Sequence, residues 1–344
     1  EVTDKFMIPR FVFQFNSCFV VLCSRILKRY KLFDDSISES FLVPEISDRI
    51  EFSPSQITDI RRLGYEAIET FHEAERTADG VMVNSFEELE PDYVEGYRRE
   101  GIEVFCIGPA FLNAQRTDQI EDGDFGLIEW LESRKSRSVL YVSFGSLCRI
   151  PAKQLIELGL GLADSGHPFI WVVKKGNGLN QIEDWLKEVK FEERIRGRGL
   201  MIRGWAPQKQ ILGHLAVGGF MTHCGWGSTM EGIVAGLPLL TWPMFAEQFF
   251  NEKLVVEVLK IGVRVGVHEC VQWQDDCEGE ATVNRESVKI AVQKLMCANR
   301  EGEERSRRAE VLAQMARTTV NGGSSDANIT SLINRVAKLT RQRR

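Results

Sequence analysis

Residues 217–222 form a short apolar run with β-branched ends that breaks into His-Cys-Gly-Trp-Gly, after which Ser228-Thr229-Met230-Glu231 opens a helical pattern. That series reads as strand, tight turn, helix. Ser228 and Glu231 have capping-box spacing, which predicts a helix start directly after the glycines. Gly225 and Gly227 allow the backbone to approach a ligand closely, and the first helical amides with the macrodipole favour an anion such as phosphate. Gly-rich turns of this kind are common in α/β proteins, so the turn alone leaves a purely structural role open.

The same alternation runs along the chain. In the first part, 11–15, 80–84 and 104–107 read as strands and 17–31 and 57–78 as helices. The polar stretch 110–124 reads as an interdomain linker. Beyond it come helix 127–133, strand 139–143, helix 151–164, strands 169–173 and 199–205, strands 217–222 and 237–241, helix 248–260, strand 263–267, and helices 284–297, 303–319 and 326–340. This pattern predicts α/β architecture with a doubly wound parallel sheet covered by helices on both faces. A length of 344 residues suffices for two cores.

Candidate binding residues cluster between Trp205 and Gln248. Ala206-Pro207 turns the chain after a strand and leaves the Trp205 indole at a carboxyl end, where open parallel sheets bind ligands. A flat indole there can stack on a base, worth about 1 to 3 kcal/mol; packing into the core is the alternative. Glu247 and Gln248 follow Pro243 on another strand-to-helix loop and offer a carboxylate and an amide to neighbouring hydroxyls. An acidic residue at a helix start is equally explained by the dipole. His223 is open to a backbone-satisfied role, Ser146 to capping the helix that begins near Pro151, and Glu231 to the capping box.

The segment from Trp205 to Gln248 resembles, almost position for position, the signature box of the plant secondary-product glycosyltransferases, the family 1 enzymes that use UDP-sugars. Residues 140–146 (LYVSFGS), 83–91 (VNSFEELEP) and 322–325 (GGSS) are also similar to that family, and 247–260 is similar to the branch that glycosylates terpenoids, flavonoids and hormone-like molecules. The resemblance implies a GT-B-like fold of two Rossmann-type domains, the first incomplete. Residues 1–109 would be a partial acceptor domain, 110–124 the linker, 125–325 the donor domain, and 326–344 a helix returning to the first domain. It further implies that Trp205 stacks on uracil, that the Ala206 backbone reads its edge, and that Gln208 and Glu231 meet the ribose. His223, Ser228 and Ser146 would contact the pyrophosphate, and Trp226, Glu247 and Gln248 the sugar. The terminal Gln implies glucose as the donor sugar.

Two departures stand out. Gly227 occupies the position where the family usually has Asn, so a side-chain amide expected near the phosphates is missing. The family's catalytic His and its partner Asp would precede residue 1, so the resemblance implies a truncated chain with no catalytic residue of its own. The expected activity is inverting transfer of glucose from UDP-glucose to a hydroxyl of a small hydrophobic acceptor; the alternative is a non-catalytic nucleotide-sugar binding protein. A nicotinamide-dependent dehydrogenase is disfavoured because no GxGxxG follows an opening strand.

Bulk properties narrow the partners. A net charge of -6 and pI near 5.6 disfavour nucleic acid. Eight irregularly spaced cysteines without a CxxC fit a reducing compartment, so a cytoplasmic location is expected. The pair Cys270 and Cys277 reads as part of an exposed acidic loop. No metal-ligand cluster and no cofactor beyond the donor substrate is expected, and the chain is expected to be monomeric. The most apolar stretch, 11–27, is interrupted by Gln14, Asn16, Ser17 and Arg25, which argues against an integral membrane segment.

Overall fold

In the computed structural model, which describes residues 2–34, 36–112, 125–174, 179–271 and 280–343, the strands are β1 (Phe11–Gln14), β2 (Phe41–Leu42), β3 (Glu51–Phe52), β4 (Gly80–Val83), β5 (Val104–Cys106), β6 (Val139–Ser143), β7 (Phe169–Val173), β8 (Gly199–Arg203), β9 (Val217–Thr222), β10 (Leu239–Thr241) and β11 (Gly262–Arg264). The chain divides into two units, Glu1–Arg116 with Leu312–Arg344, and Thr117–Val311. Of the expected linker at 110–124, only the turn Ala110–Leu112 is among the described residues, and Cys277 also lies outside them.

The first unit holds a parallel sheet in the order β1-β4-β5 and a short antiparallel ladder of β2 with β3. The apolar stretch after β1 becomes helix Cys18–Arg29. It starts where it does because two side chains take its first amides: the Ser17 hydroxyl accepts from Val20 N (3.2 Å), and the Glu90 carboxylate accepts from Cys18 N (3.0 Å) and Phe19 N (2.7 Å). Burial raises the Glu90 carboxyl to about 7, and those hydrogen bonds offset part of the shift. Arg25, which interrupts the apolar run, is buried against Glu75 of helix Thr58–Arg76. Glu75 also accepts from Gln14 Nε2 at 2.9 Å, so a buried cation and its partner are held from β1 as well. Helix Ser324–Gln342 belongs to this unit: Ser325 Oγ donates to Gly108 O (2.6 Å) and Asn328 Nδ2 to Cys106 O (3.1 Å), just beyond and at the end of β5.

The second unit is built on six parallel strands in the order β11-β10-β9-β6-β7-β8. Numbered from its own first strand, this is the doubly wound order in which the connection reverses between the first strand and the fourth, here β6 and β9. Every residue of β6 and β9 is buried, as expected for central strands covered on both faces. Tyr141 of β6 stacks on Phe220 of β9 with ring centroids 5.3 Å apart. Ser143, Thr222 and Thr241 lie level at the carboxyl ends of β6, β9 and β10, so the loops that follow emerge along one edge.

Several boundaries differ from the sequence-based expectation. Strand β8 ends at Arg203 rather than 205, because Gly204 turns at φ 99°. The expected helix 248–260 is α-helical only over Gln248–Lys253 and continues as a π-helical turn, Leu254–Val258. Helices Pro91–Arg99, Leu179–Glu188 and Phe191–Ile195 add elements that the strand and helix patterns above did not include. Among the described residues no helix is long and apolar enough to cross a membrane, and the described cysteines are all free thiols.

Candidate functional site

The reversal between β6 and β9 opens a crevice at the carboxyl edge of the second unit's sheet, lined by the turn after β6 (Phe144-Gly145-Ser146) and the turn after β9 (His223-Cys224-Gly225). The His223 imidazole is clasped between the two turns. A Cβ added to Gly145 would lie 2.5 Å from His223 Cε1, and one added to Gly225 would lie 2.4 Å from His223 Nε2. Only glycine fits on either side of the ring. Gly145 also turns at φ 65°, a second reason for that residue. Burial, with the Lys174 ammonium nearby, lowers the imidazole to about 4, so it is neutral at pH 7; its Nδ1 is buried without a hydrogen-bond partner.

Helix Trp226–Val234 starts immediately after this clasp, with Gly225 as its N-cap and no side-chain cap. The expected capping box is therefore corrected: Ser228 is the third helical residue, and Glu231 reaches elsewhere. The Trp226 amide is taken by the Glu247 carboxylate; burial raises that carboxyl above its ordinary range, and bonds from its own and the Trp226 backbone N–H offset part of the rise. The next two helical amides, of Gly227 and Ser228, point from the N-terminus with no intrahelical partner, since the first intrahelical bond runs from Thr229 N to Gly225 O. Ser228 is half-buried and Ser146 exposed; neither hydroxyl has a partner among the described residues. Ser146 does not cap the following helix, Ala152–Asp164, whose N-cap is Pro151. Gly227 is exposed, and a Cβ there would meet nothing within 4 Å.

Trp205 lies two residues beyond β8 and is 67% exposed, unlike the buried indoles Trp171 and Trp242. Core packing does not account for it. Ala206 is buried and its carbonyl accepts from Gln208 N at 2.8 Å, which leaves its N–H as the group able to meet a base edge. Gln208, the first residue of helix Gln208–Leu212, donates from Nε2 to Glu231 Oε2 (2.6 Å) and accepts from the Tyr141 hydroxyl at Oε1 (3.3 Å). The two residues assigned to one ribose are thus in contact, the carboxylate held in place by the amide.

At the other end, Trp226 is only 2% exposed, so little of its indole faces the crevice. Gln248 is buried, and its Oε1 accepts from Met244 N (2.8 Å) and Phe245 N (3.2 Å). Its amide nitrogen is left as the donor to a ligand. Sequence reasoning did not single out Asn251, whose Nδ2 donates to Cys224 O at 2.9 Å. That bond steadies the turn where Cys224 adopts φ 65°, an unusual conformation for a residue with a side chain. The signal was an Asn inside an apolar helical run. Among the described residues no group of three His, Cys, Asp or Glu side chains is placed to hold a metal.

Residues 116–295 match the family model described as UDP-glucoronosyl and UDP-glucosyl transferase. UDP-glycosyltransferase 73C6 of Arabidopsis thaliana is 44% identical over an alignment covering 98% of this chain and 72% of that protein. UDP-glycosyltransferase 73C25 of Barbarea vulgaris is 46% identical with the same coverage. Among solved structures, Glycyrrhiza uralensis UGT73P12 complexed with glycyrrhetinic acid 3-O-monoglucuronide matches with a TM-score of 0.89 and 39% identity, covering 99% of this chain and 71% of that one. Phytolacca americana UGT2 complexed with UDP-2fluoro-glucose and pterostilbene matches at 0.81 and 26%, covering 98% and 73%. The chain therefore belongs to the plant family 1 UDP-glycosyltransferases, transferases that take their sugar from a UDP-linked donor, and its fold is of the GT-B type.

Proposed function

We propose that the second unit binds UDP-glucose along the carboxyl edge of its sheet, and that the protein's reaction is inverting transfer of glucose to a hydroxyl of a small hydrophobic plant metabolite. The observation that carries this reading is one edge holding an exposed indole (Trp205), a carboxylate fixed by an amide (Glu231 on Gln208), and a helix start with two unpaired amides beside a neutral imidazole. These groups suit a base, a ribose and a diphosphate in that order.

In this reading the protein's contribution to the chemistry lies on the leaving-group side. As the bond from the anomeric carbon to the β-phosphate oxygen breaks, charge develops on UDP, and the Gly227 and Ser228 amides with the helix dipole help to stabilise it. Gln248 Nε2 and the Glu247 carboxylate hold sugar hydroxyls. A general base for the acceptor hydroxyl contributes typically about 10²- to 10⁴-fold. His72 does not suit that task, since it is 7% exposed in the first unit and burial beside Arg25, Lys28 and Arg76 lowers it to about 3. The terpenoid, flavonoid or hormone-like acceptor class is supported by the ligands of the two structural relatives, glycyrrhetinic acid 3-O-monoglucuronide and pterostilbene, both built on large apolar frameworks.

A second reading, nucleotide-sugar binding without turnover, is favoured by Gly227, which lacks the side-chain amide expected at the phosphates. Titration calorimetry with UDP and UDP-glucose, followed by assay of UDP release with and without a triterpenoid or phenolic acceptor, separates the two. Acceptor-dependent release supports transfer, and binding without it supports the second reading. A chain that binds neither ligand overturns both.

A further inference from the structure

Strand β7 lies between β6 and β8, and the residue that leaves its carboxyl end is Lys174. Val142 of β6 is opposite Trp171, and Val173 is opposite Arg203 of β8. Carried forward, those registers set Lys174 level with Gly145 on one side and Gly204 on the other. Lys174 therefore sits in the row of strand ends between the Gly145-Ser146 turn and Trp205, with the His223 turn one strand further along.

Its surroundings do not satisfy it. The Nζ atom is buried and has no hydrogen-bond partner, although an ammonium carries three donors. Two of its neighbours are uncharged: burial keeps the Cys148 thiol protonated, with its pKa pushed up to about 12, and holds the His223 imidazole neutral. Burial also lowers the ammonium's own pKa. The Glu247 carboxylate, which lies toward Cys148, is engaged with the Trp226 amide. An ammonium shielded from solvent with no hydrogen-bonded partner among the described residues is costly unless an anion from outside completes it. The neighbouring His223 Nδ1 is likewise buried without a partner, so two unsatisfied polar atoms lie at the same crevice.

We propose that Lys174 is a ligand of the donor's diphosphate: its ammonium, at the end of β7, pairs with phosphate oxygens of a nucleoside diphosphate laid from Trp205 to the Gly227 and Ser228 amides. The inference rests on the donor reading above and adds a cationic contact to it. Lys174 supplies at this edge the positive charge that a metal ion provides in other diphosphate sites, and it partly makes up for the amide missing at Gly227. Because the ammonium meets phosphate and not the base, its removal acts on UDP and leaves uridine alone.

The test is calorimetric binding of UDP and of uridine to the full chain and to its Lys174→Met, Lys174→Gln and Lys174→Arg variants, with circular dichroism to verify folding. The expected result is at least a tenfold loss of UDP affinity for Met and Gln, a change of less than about twofold for uridine, and recovery to within about threefold for Arg. Gln retains a polar donor of similar reach and covers the case in which Met does not fold. Unchanged UDP affinity in the neutral variants, or equal losses for UDP and uridine, overturns the inference while leaving the donor reading intact. Failure of the unaltered chain to bind UDP overturns both.

Discussion

Gly227→Asn is the substitution on which the pose of the diphosphate can be judged. Gly227 is the second residue of helix Trp226–Val234, is exposed, and offers a new Cβ open space to 4 Å. The Cβ of an asparagine therefore enters without a clash. Replacing glycine inside a helix also stabilises the fold by a few tenths of a kcal/mol. If phosphate oxygens lie at the neighbouring amides, the added carboxamide makes one hydrogen bond to a charged group, worth about 1.5 to 3 kcal/mol. At about 1.4 kcal/mol per factor of ten, UDP-glucose binding should tighten by roughly ten- to a hundredfold. Gly227→Ala is the control, since it changes the backbone in the same sense but brings no donor; its affinity should stay within about twofold. Titration calorimetry with UDP-glucose and with uridine reads the result. No gain for Asn, or an equal gain for Ala, would refute the reasoning, the first by removing the phosphate from this helix start and the second by tracing the effect to helix order.

Trp205→Ala should weaken UDP binding by roughly five- to a hundredfold through lost base stacking, yet shift the denaturation midpoint very little, because the indole is 67% exposed; a large stability loss with unchanged affinity would show a structural residue. Gly225→Ala should cost at least about tenfold in UDP-glucose affinity with an unchanged circular dichroism spectrum, since its methyl would fall 2.4 Å from His223 Nε2. The pH dependence follows from His223, whose imidazole is lowered to about 4 in the ligand-free protein. A depressed imidazole contributes stability above its unfolded value near 6.5 that is lost as pH falls toward 4. A bound diphosphate favours the charged ring, so calorimetry should show UDP-glucose binding tighten as pH is lowered from about 7 to about 5, while His223→Asn abolishes that slope.

The strands that build the site were legible because their burial is nearly complete: β6 and β9 read as unbroken apolar runs, a pattern that neither solvent-facing strands nor amphipathic helices produce. Trp205, His223 and Gln248 were legible for a different reason, since each stands just past an apolar run where the chain must turn. What escaped depends on contacts distant in sequence. The Ser228 and Glu231 spacing matched a capping box, but Glu247 takes the Trp226 amide and Gln208 takes the Glu231 carboxylate, and the helix begins three residues earlier, with Gly225 as its N-cap. Lys174 reads as a polar residue after a strand, and only the strand order makes it a neighbour of Gly145. The start of helix Pro91–Arg99 was signalled by Pro91 and Asp92, whereas the π-helical turn at Leu254–Val258 leaves no periodicity distinct from that of an ordinary helix.

The grip of Gly145 and Gly225 on one imidazole makes three positions from two separate loops a single inherited unit. A library that varies any one of them in isolation will be depleted of binders, because a larger neighbour ejects the ring and a larger ring has nowhere to go. Under the donor-site proposal, redesign at this edge has to move all three together, or leave them alone and work from the open face at Gly227.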